Sequence, residues 1–389
     1  MVLGALDRIL DQFGGSEKIL SKIGLGALGR TITGAGKEFE EGFNAMGPVA
    51  MGMVGVIALT PVLKSMLAPL IVPLYTVLGA DPSMFATTLL ANDMGGYFLA
   101  REMADTEAAG LYSGLILGAV LGPTISFSIP VGIGLIRVED RPYFALGVLA
   151  SLVTVPLGCI AGGVVSMYSS IEGVNGEILE FTWTMILINL IPVVIFSLLV
   201  GLGLKLVPNA MIKGFNIFAK ILLVGVTIGL VAAVIERLTG IVVINGLDPI
   251  FTMPGDEPGI DMRAIEVIGA IAILLLGAYP MVLLLTRWFE KPLVAFAGIF
   301  KIDATAAVGM IGALANILLM FQNLHKMSNR GKVLAVAFSC AAAWTFGDHL
   351  GFTAANKPDM IFAMVAAKLT ACITALVLAM FLYKEEKIS

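Results

Sequence analysis

The sequence predicts an all-α, polytopic membrane protein of about 10–12 transmembrane or re-entrant helices, built from two repeats that we expect to be inverted. Of its 389 residues, 58% are hydrophobic and 13% are charged, and the mean hydropathy is +0.96. Soluble proteins average about 45–50% apolar and about 25% charged residues. The net charge of −4 and the absence of a basic cluster do not indicate a nucleic-acid partner.

Short motifs do not indicate a metal, cofactor or nucleotide site. Cys159, Cys340 and Cys372 lie in apolar sequence without a CxxC motif, so neither a disulfide framework nor a zinc site is expected. The GxGxxG match at 24–29 follows no predicted strand, and the GAGKE string at 34–38 lacks the Ser or Thr of a P-loop. We expect no cofactor and no metal.

Four segments follow from the pattern along the chain. Residues 1–45 begin with apolar residues at helical spacing, which predicts an amphipathic or partial helix. A first transmembrane repeat is expected at 46–168, connecting helices and a polar loop at 169–263, and a second repeat with a C-terminal tail at 264–389. The polar stretch 240–263 is expected to be an extramembrane loop or a plug.

Apolar runs near the roughly 20 residues that a bilayer requires predict the full spans. Two shorter apolar pieces, 69–78 and 292–300, are flanked by prolines and are expected to be half-helices or re-entrant segments. The predicted helices are 47–66, 82–100, 110–135, 142–168, 182–206, 212–236, 264–286, 303–323, 331–351 and 360–383.

An internal repeat is suggested by elements that recur in order at an offset of about 220 residues. Pro61, Asp81 and Gly110 in the first half have counterparts in the second half, namely Pro280, Asp303 and Gly331. Duplicated halves with short, Pro-interrupted segments are typical of secondary transporters.

The first candidate site residue is Asp93, which lies with Asn92 and two glycines inside an apolar run. A charged side chain at the centre of a membrane helix costs about 2.5–3.5 kcal/mol on insertion scales, so it usually faces a cavity or a partner. We expect Asp93 to mark a polar cavity that receives a cation. A buried structural network is the alternative.

Other intramembrane polar residues lie at comparable positions of the two halves. We expect Asp93 and Asp348 to supply negative charge, and Asn92, Thr124, Asn316 and Gln322 to bind a neutral polar group of the same ligand. His349, beside Asp348, is a candidate gate or proton-coupling group because histidine titrates near physiological pH. The candidate substrate-binding residues are Asp93, Asn92, Thr124, Asn316, Gln322, Asp348 and His349.

Longer strings are spread over nearly the whole chain: NDMGGY at 92–97, YSGLILG at 112–118, GPT at 122–124, GCIAGG at 158–163, LDPIF at 247–251, MRAIEVIG at 262–269, GAYPM at 277–281, KPL at 291–293 and GDHLGF at 347–352. With these strings the chain resembles the bacterial ethanolamine-utilisation permease family. The resemblance implies a multi-pass protein of the bacterial cytoplasmic (inner) membrane that admits ethanolamine for catabolism. Members usually have a longer apolar run before the DRIL string at 7–10, so the first span is expected to be shortened.

The sequence thus predicts a transporter rather than an enzyme, with ethanolamine and the lipid bilayer as partners. Ethanolamine carries a largely protonated amine at neutral pH and a hydroxyl, which suit carboxylates and amides. Two alternatives stay open: a membrane-embedded enzyme that uses Asp348 and His349 on a lipid headgroup, and a non-transporting scaffold or sensor. A homodimer is expected because glycine-rich faces of membrane carriers often pair.

Overall fold

The computed structural model describes residues 1–254, 256 and 262–384, which form helices without a β-strand among them. This confirms the predicted all-α class. Part of the predicted polar loop, at 255 and 257–261, and the tail at 385–389 lie outside the described residues. Residues 1–45 contain four short helices where one amphipathic or partial helix was predicted. They are α1 (Val2–Asp11), α2 (Ser16–Ser21), α3 (Gly26–Ile32) and α4 (Ala35–Asn44).

A long helix, a broken pair of short helices, an irregular span and a regular span follow. The irregular span contains π-helical turns at Tyr112–Leu117 and Thr124–Ser128. The α-helices of this half are α5 (Met46–Leu78), α6 (Ser83–Leu89), α7 (Gly96–Met103), α8 (Glu107–Leu111), α9 (Gly118–Val120), α10 (Ile129–Leu135) and α11 (Arg141–Met167).

Two further long helices lead to a second half with the same order of elements. These two are α12 (Trp183–Leu206) and α13 (Pro208–Thr239). The second half consists of α14 (Ala264–Phe300), α15 (Ala304–Ala313), α16 (Leu318–Asn323), α17 (Asn329–Ala342), α18 (Asp348–Asn356) and α19 (Ile361–Leu382).

The prediction of separate half-helices at 69–78 and 292–300 was wrong, because both segments continue long helices. Residues 69–78 belong to α5, which contains Pro61, Pro69 and Pro73, and residues 292–300 belong to α14. Membrane helices tolerate proline where neighbouring groups satisfy the freed carbonyls. The prolines in these two segments therefore do not mark ends of helices.

The re-entrant elements are instead α6–α7 and α15–α16, which were predicted as the full spans 82–100 and 303–323. The Asp81 carboxylate accepts hydrogen bonds from the N–H groups of Ser83 (2.9 Å) and Asp105 (3.0 Å), so both ends of α6–α7 lie together. Asp303 likewise accepts from Ala306 N–H (2.9 Å) and Ser328 N–H (2.9 Å). We call these elements the first and second hairpins.

The described residues contain seven helices that are long and apolar enough to span a membrane. Five of them precede α14, and each hairpin returns to the side from which it enters. If each of these five helices crosses the membrane once, their odd number places the starts of α5 and α14 on opposite sides. This count and the shared order of elements favour two inverted repeats, which stay a prediction.

Helices α11 and α19 pack closely at the centre of the fold. A Cβ atom at Gly158 would lie 2.5 Å from the Ala367 carbonyl oxygen, and one at Gly162 would lie 2.9 Å from the Ala363 carbonyl oxygen. Small residues allow such close approach of membrane helices. The residue of α19 that follows Ala367, Lys368, is completely buried.

We expect Asp303→Ala to lower the free energy of unfolding by about 1–2 kcal/mol, because Asp303 caps α15 and ties the second hairpin together. Burial alone would raise the pKa of Asp303, but the hydrogen bonds from Ser328 and Ala306 hold that pKa below its usual value. A lowered pKa means that the stabilisation is complete above about pH 4 and is lost as the pH falls through the folded pKa.

Thermal unfolding in detergent at neutral and acidic pH measures this effect. The difference between wild type and Asp303→Ala should be present at neutral pH and shrink below about pH 4. Asp11→Ala, an exposed position at the end of α1, is the control. An equal loss of stability in both variants would contradict the assignment.

Candidate functional site

The tip of the first hairpin carries Asp93. Between α6 and α7 the chain forms one 3₁₀ turn, Asn92–Met94, and then adopts a left-handed conformation at Gly95 with φ of 84°. Glycine accepts this conformation without strain. A Cβ atom at Gly95 would also lie 2.1 Å from the Val56 side chain of α5, so this turn requires glycine.

The irregular span Glu107–Leu135 passes the same tip. Pro123 has no N–H, so the carbonyl of Ala119, four residues earlier, loses its helical donor. Gly122 touches the first hairpin so closely that a Cβ atom there would lie 2.2 Å from the Leu90 carbonyl oxygen. The irregular part of the span around Pro123 and the hairpin tip therefore pack directly against each other.

The second half has the same arrangement. The chain unwinds between α17 and α18, where Trp344 N–H donates to the Ala313 carbonyl (3.0 Å) and Phe346 N–H donates to the Leu314 carbonyl (2.9 Å) of the second hairpin tip. Trp344 has φ of 58°, which is rare for a bulky residue and stores strain. Such strain is often found at functional sites.

The tips of the two hairpins, the irregular part of the span Glu107–Leu135 and the segment between α17 and α18 are four interruptions of regular helix. All four border one cavity of about 280 Å³. This volume lies near the lower end of the range of roughly 300–1,000 Å³ for small-molecule sites. The cavity is lined by Pro48, Val49, Gly52, Ala91, Asp93, Met94, Pro123, Phe127, Asn316, Leu318, Trp344, Asp348 and His349.

Two carboxylates give the cavity its acidic character. Asp93 comes from the first hairpin and Asp348 from the first turn of α18. The Oδ1 atom of Asp348 is buried and has no hydrogen-bond partner among the described residues. A buried polar atom without a partner is costly, so this oxygen is well suited to accept a hydrogen bond from a bound cation.

Two basic groups lie on one side of these carboxylates. His349 Nε2 is 3.7 Å from Asp93 Oδ1, and His349 Nδ1 is 3.0 Å from Lys368 Nζ. Lys368 also donates to the Ala119 carbonyl at 2.6 Å, which is the acceptor freed by Pro123. Asp93, His349 and Lys368 thus form a row of polar side chains that leads from the cavity to α19.

The structure places four of the seven predicted site residues on the cavity: Asp93, Asp348, His349 and Asn316. The other three lie elsewhere. Thr124 is buried and donates to the Cys340 carbonyl (3.2 Å), which joins the two halves. Asn92 is buried beside the tip without a side-chain partner among the described residues, and Gln322 has an exposed side chain outside the cavity.

Sequence reasoning missed Lys368. Its signal was present, because a lone lysine in the apolar run 360–383 carries the same burial cost that singled out Asp93. The described residues contain no group of three or more His, Cys, Asp or Glu placed to hold a metal ion. The arrangement can neutralise and hold one small organic cation.

Comparisons with known proteins agree along the whole chain. Residues 1–382 match the family described as "Ethanolamine utilisation protein, EutH". The chain is 56% identical to the "Probable ethanolamine permease EutH" of Escherichia coli (strain K12), over 99% of this chain and 93% of that protein.

It is 45% identical to the protein of the same name from Listeria monocytogenes serotype 1/2a (strain 10403S), over 98% of this chain and 91% of that protein. No solved structure matches the chain. The full-length match and these identities show that the chain belongs to the EutH family of ethanolamine utilisation proteins.

Proposed function

We propose that this chain is a multi-pass transporter of the bacterial cytoplasmic (inner) membrane that takes up ethanolamine by facilitated diffusion or secondary transport. The observation that carries the proposal is the cavity between four helix interruptions, with Asp93 and Asp348 on its wall. The name of its relatives, "Probable ethanolamine permease EutH", supports the same substrate. Because a protonated amine crosses lipid poorly, a protein route for it is needed.

The cavity offers a partner for each end of ethanolamine. The ammonium group pairs with Asp348 and Asp93, and the unpartnered Oδ1 atom of Asp348 accepts one of its hydrogen bonds. The hydroxyl group binds Asn316 or His349, which line the same cavity. Asn92, Thr124 and Gln322 do not line the cavity, so their positions do not favour contact with substrate.

The two hairpins supply a route for access from either side. If the repeats are inverted, the hairpins enter from opposite faces of the membrane and their tips meet at the cavity. Movement of one tip at a time would then expose Asp93 and Asp348 to one side and afterwards to the other, as in carriers with broken helices.

Transport is favoured over the two alternatives. A lipid-modifying enzyme would use Asp348 and His349 on a headgroup, but the described cavity lining offers no Ser, Thr or Cys side chain beside them. A scaffold has no need for an acidic cavity between two hairpins. The expected homodimer stays a prediction. A Cβ atom added at Gly214 or Gly225 of α13 would have no atom of the described residues within 4 Å, so a second copy could pack there.

Binding to purified protein in detergent tests the substrate directly. Ethanolamine should raise the unfolding temperature in a concentration-dependent manner, because a ligand that binds only the folded state stabilises it by mass action. Ethylamine lacks the hydroxyl and should bind roughly fivefold more weakly, as expected for the loss of one hydrogen bond. Ethylene glycol, which has no charge, should have no effect; equal stabilisation by ethylene glycol would contradict the proposal.

A further inference from the structure

Lys368 is a completely buried basic residue within a membrane-spanning helix. Isolated charges are rare at such positions and usually pair with another charge or with backbone carbonyls. The proposed transport role assigns no task to this residue. Its contacts show which groups it serves.

The two contacts of Lys368 orient the row of groups behind the cavity. Its Nζ donates to the Ala119 carbonyl (2.6 Å) and lies 3.0 Å from His349 Nδ1. A lysine ammonium has donors only, so Nδ1 must accept from it, and the proton of a neutral histidine ring is then on Nε2. That Nε2–H faces Asp93 Oδ1 at 3.7 Å.

A count of charges follows from these partners. With both carboxylates ionised and Lys368 protonated, Asp93 and Asp348 contribute two negative charges and Lys368 contributes one positive charge, while His349 is neutral in the tautomer that Lys368 imposes. Among the described residues, Cys372 and Tyr279 also interact electrostatically with this cluster, and a thiol and a phenol are ordinarily uncharged at neutral pH. The cluster therefore carries one net negative charge, which one singly protonated amine balances.

We propose that Lys368 sets the charge selectivity of the cavity: by offsetting one of the two carboxylates through His349, it makes the site specific for singly charged amines. This inference rests on the proposed transport of ethanolamine and extends it to the selection of substrate charge. Lys368 is a positioning residue, because it contacts His349 and a backbone carbonyl rather than the cavity itself. Without it, the two carboxylates match an amine with two positive charges.

The test compares ethanolamine with 1,3-diaminopropane, whose two amines are largely protonated at neutral pH. Their dissociation constants are measured by calorimetry on wild type and on Lys368→Met, which replaces the ammonium by an apolar group of similar length. We expect wild type to prefer ethanolamine. The ratio of the two dissociation constants should shift toward the diamine by roughly tenfold or more in Lys368→Met.

A second pair of variants tests the same role in a background that leaves only one carboxylate without a counter-charge, so that loss of Lys368 is less destabilising there than in Lys368→Met alone. Asp93→Asn alone leaves Asp348 and Lys368, with no net charge, and should bind ethanolamine weakly. Adding Lys368→Met to Asp93→Asn restores one net negative charge and should strengthen ethanolamine binding by roughly tenfold. A lysine with only a structural role would make the double variant the weaker of the two.

The outcomes separate this inference from the proposed function. If wild type does not bind ethanolamine, the proposed substrate is wrong. If wild type binds it, but the ratio is unchanged in Lys368→Met or the double variant is no stronger than Asp93→Asn, the role of Lys368 is overturned and the substrate stands.

Discussion

Asp93→Asn should reduce ethanolamine uptake at low substrate concentration by roughly tenfold or more, because a hydrogen bond to a charged group contributes about 1.5–3 kcal/mol. The substitution keeps the shape of the side chain but removes one of the two carboxylates of the cavity. It also leaves Lys368 and Asp348 as the remaining charges. Uptake of labelled ethanolamine by cells, normalised to the amount of folded protein in the membrane, measures the effect.

Asp105→Asn is the matched control for this variant. Asp105 follows α7 of the same hairpin, but its side chain is exposed and does not line the cavity. Its structural contact uses the backbone N–H group, which the substitution keeps. Normal uptake by Asp93→Asn, or an equal loss in both variants, would remove Asp93 from the site.

Gly122→Ala should abolish most uptake and destabilise the protein. The added Cβ atom would lie 2.2 Å from the Leu90 carbonyl oxygen, a distance that requires the hairpin tip or the span to move. Overpacking of this kind costs typically about 1–3 kcal/mol. Since the displaced tip carries Asp93, the geometry of the cavity should be lost together with stability, as measured by uptake and thermal unfolding.

Gly134→Ala provides the control within the same span. Gly134 lies in α10, is exposed, and has no atom near the position of an added Cβ. Alanine there should leave uptake unchanged and favour the helix slightly. If Gly122→Ala transports as well as Gly134→Ala, the close contact between the first hairpin and the span is not needed for function.

The carboxylates of the site could be predicted because their energetic signal is local. An aspartate inside an apolar run is costly wherever it points, so Asp93 and Asp348 could be selected without knowing the fold. Asn316 could be selected because it is a polar residue in an apolar segment of the second predicted repeat. All three line the same cavity.

The helix breaks could not be predicted from proline alone. Pro61, Pro69 and Pro73 lie inside one continuous helix, whereas the hairpins are defined by Asp81 and Asp303, whose carboxylates bind N–H groups at both ends. Those bonds join residues that are 24 and 25 positions apart. A sequence pattern does not show such pairing.

Side-chain direction explains the remaining differences. Gln322 lies one turn into α16, beyond the tip, and its side chain turns outward. Thr124 lies next to Pro123, but its hydroxyl donates a hydrogen bond to the Cys340 carbonyl and not to the cavity. Lys368 reaches the site only because α19 packs against the irregular span Glu107–Leu135, where its Nζ atom donates to the Ala119 carbonyl.

Flux of labelled ethanolamine into liposomes that contain only the purified protein tests the central claim most directly. It should be measured at two external pH values, with and without an imposed proton gradient, beside liposomes that contain Asp93→Asn. We predict that wild type shows saturable uptake of labelled ethanolamine, and that excess unlabelled ethanolamine inhibits this uptake whereas ethylene glycol does not. Uptake by Asp93→Asn should be strongly reduced. Absence of protein-dependent flux, in liposomes whose protein is folded and binds ethanolamine, would contradict transport and favour a sensor or scaffold.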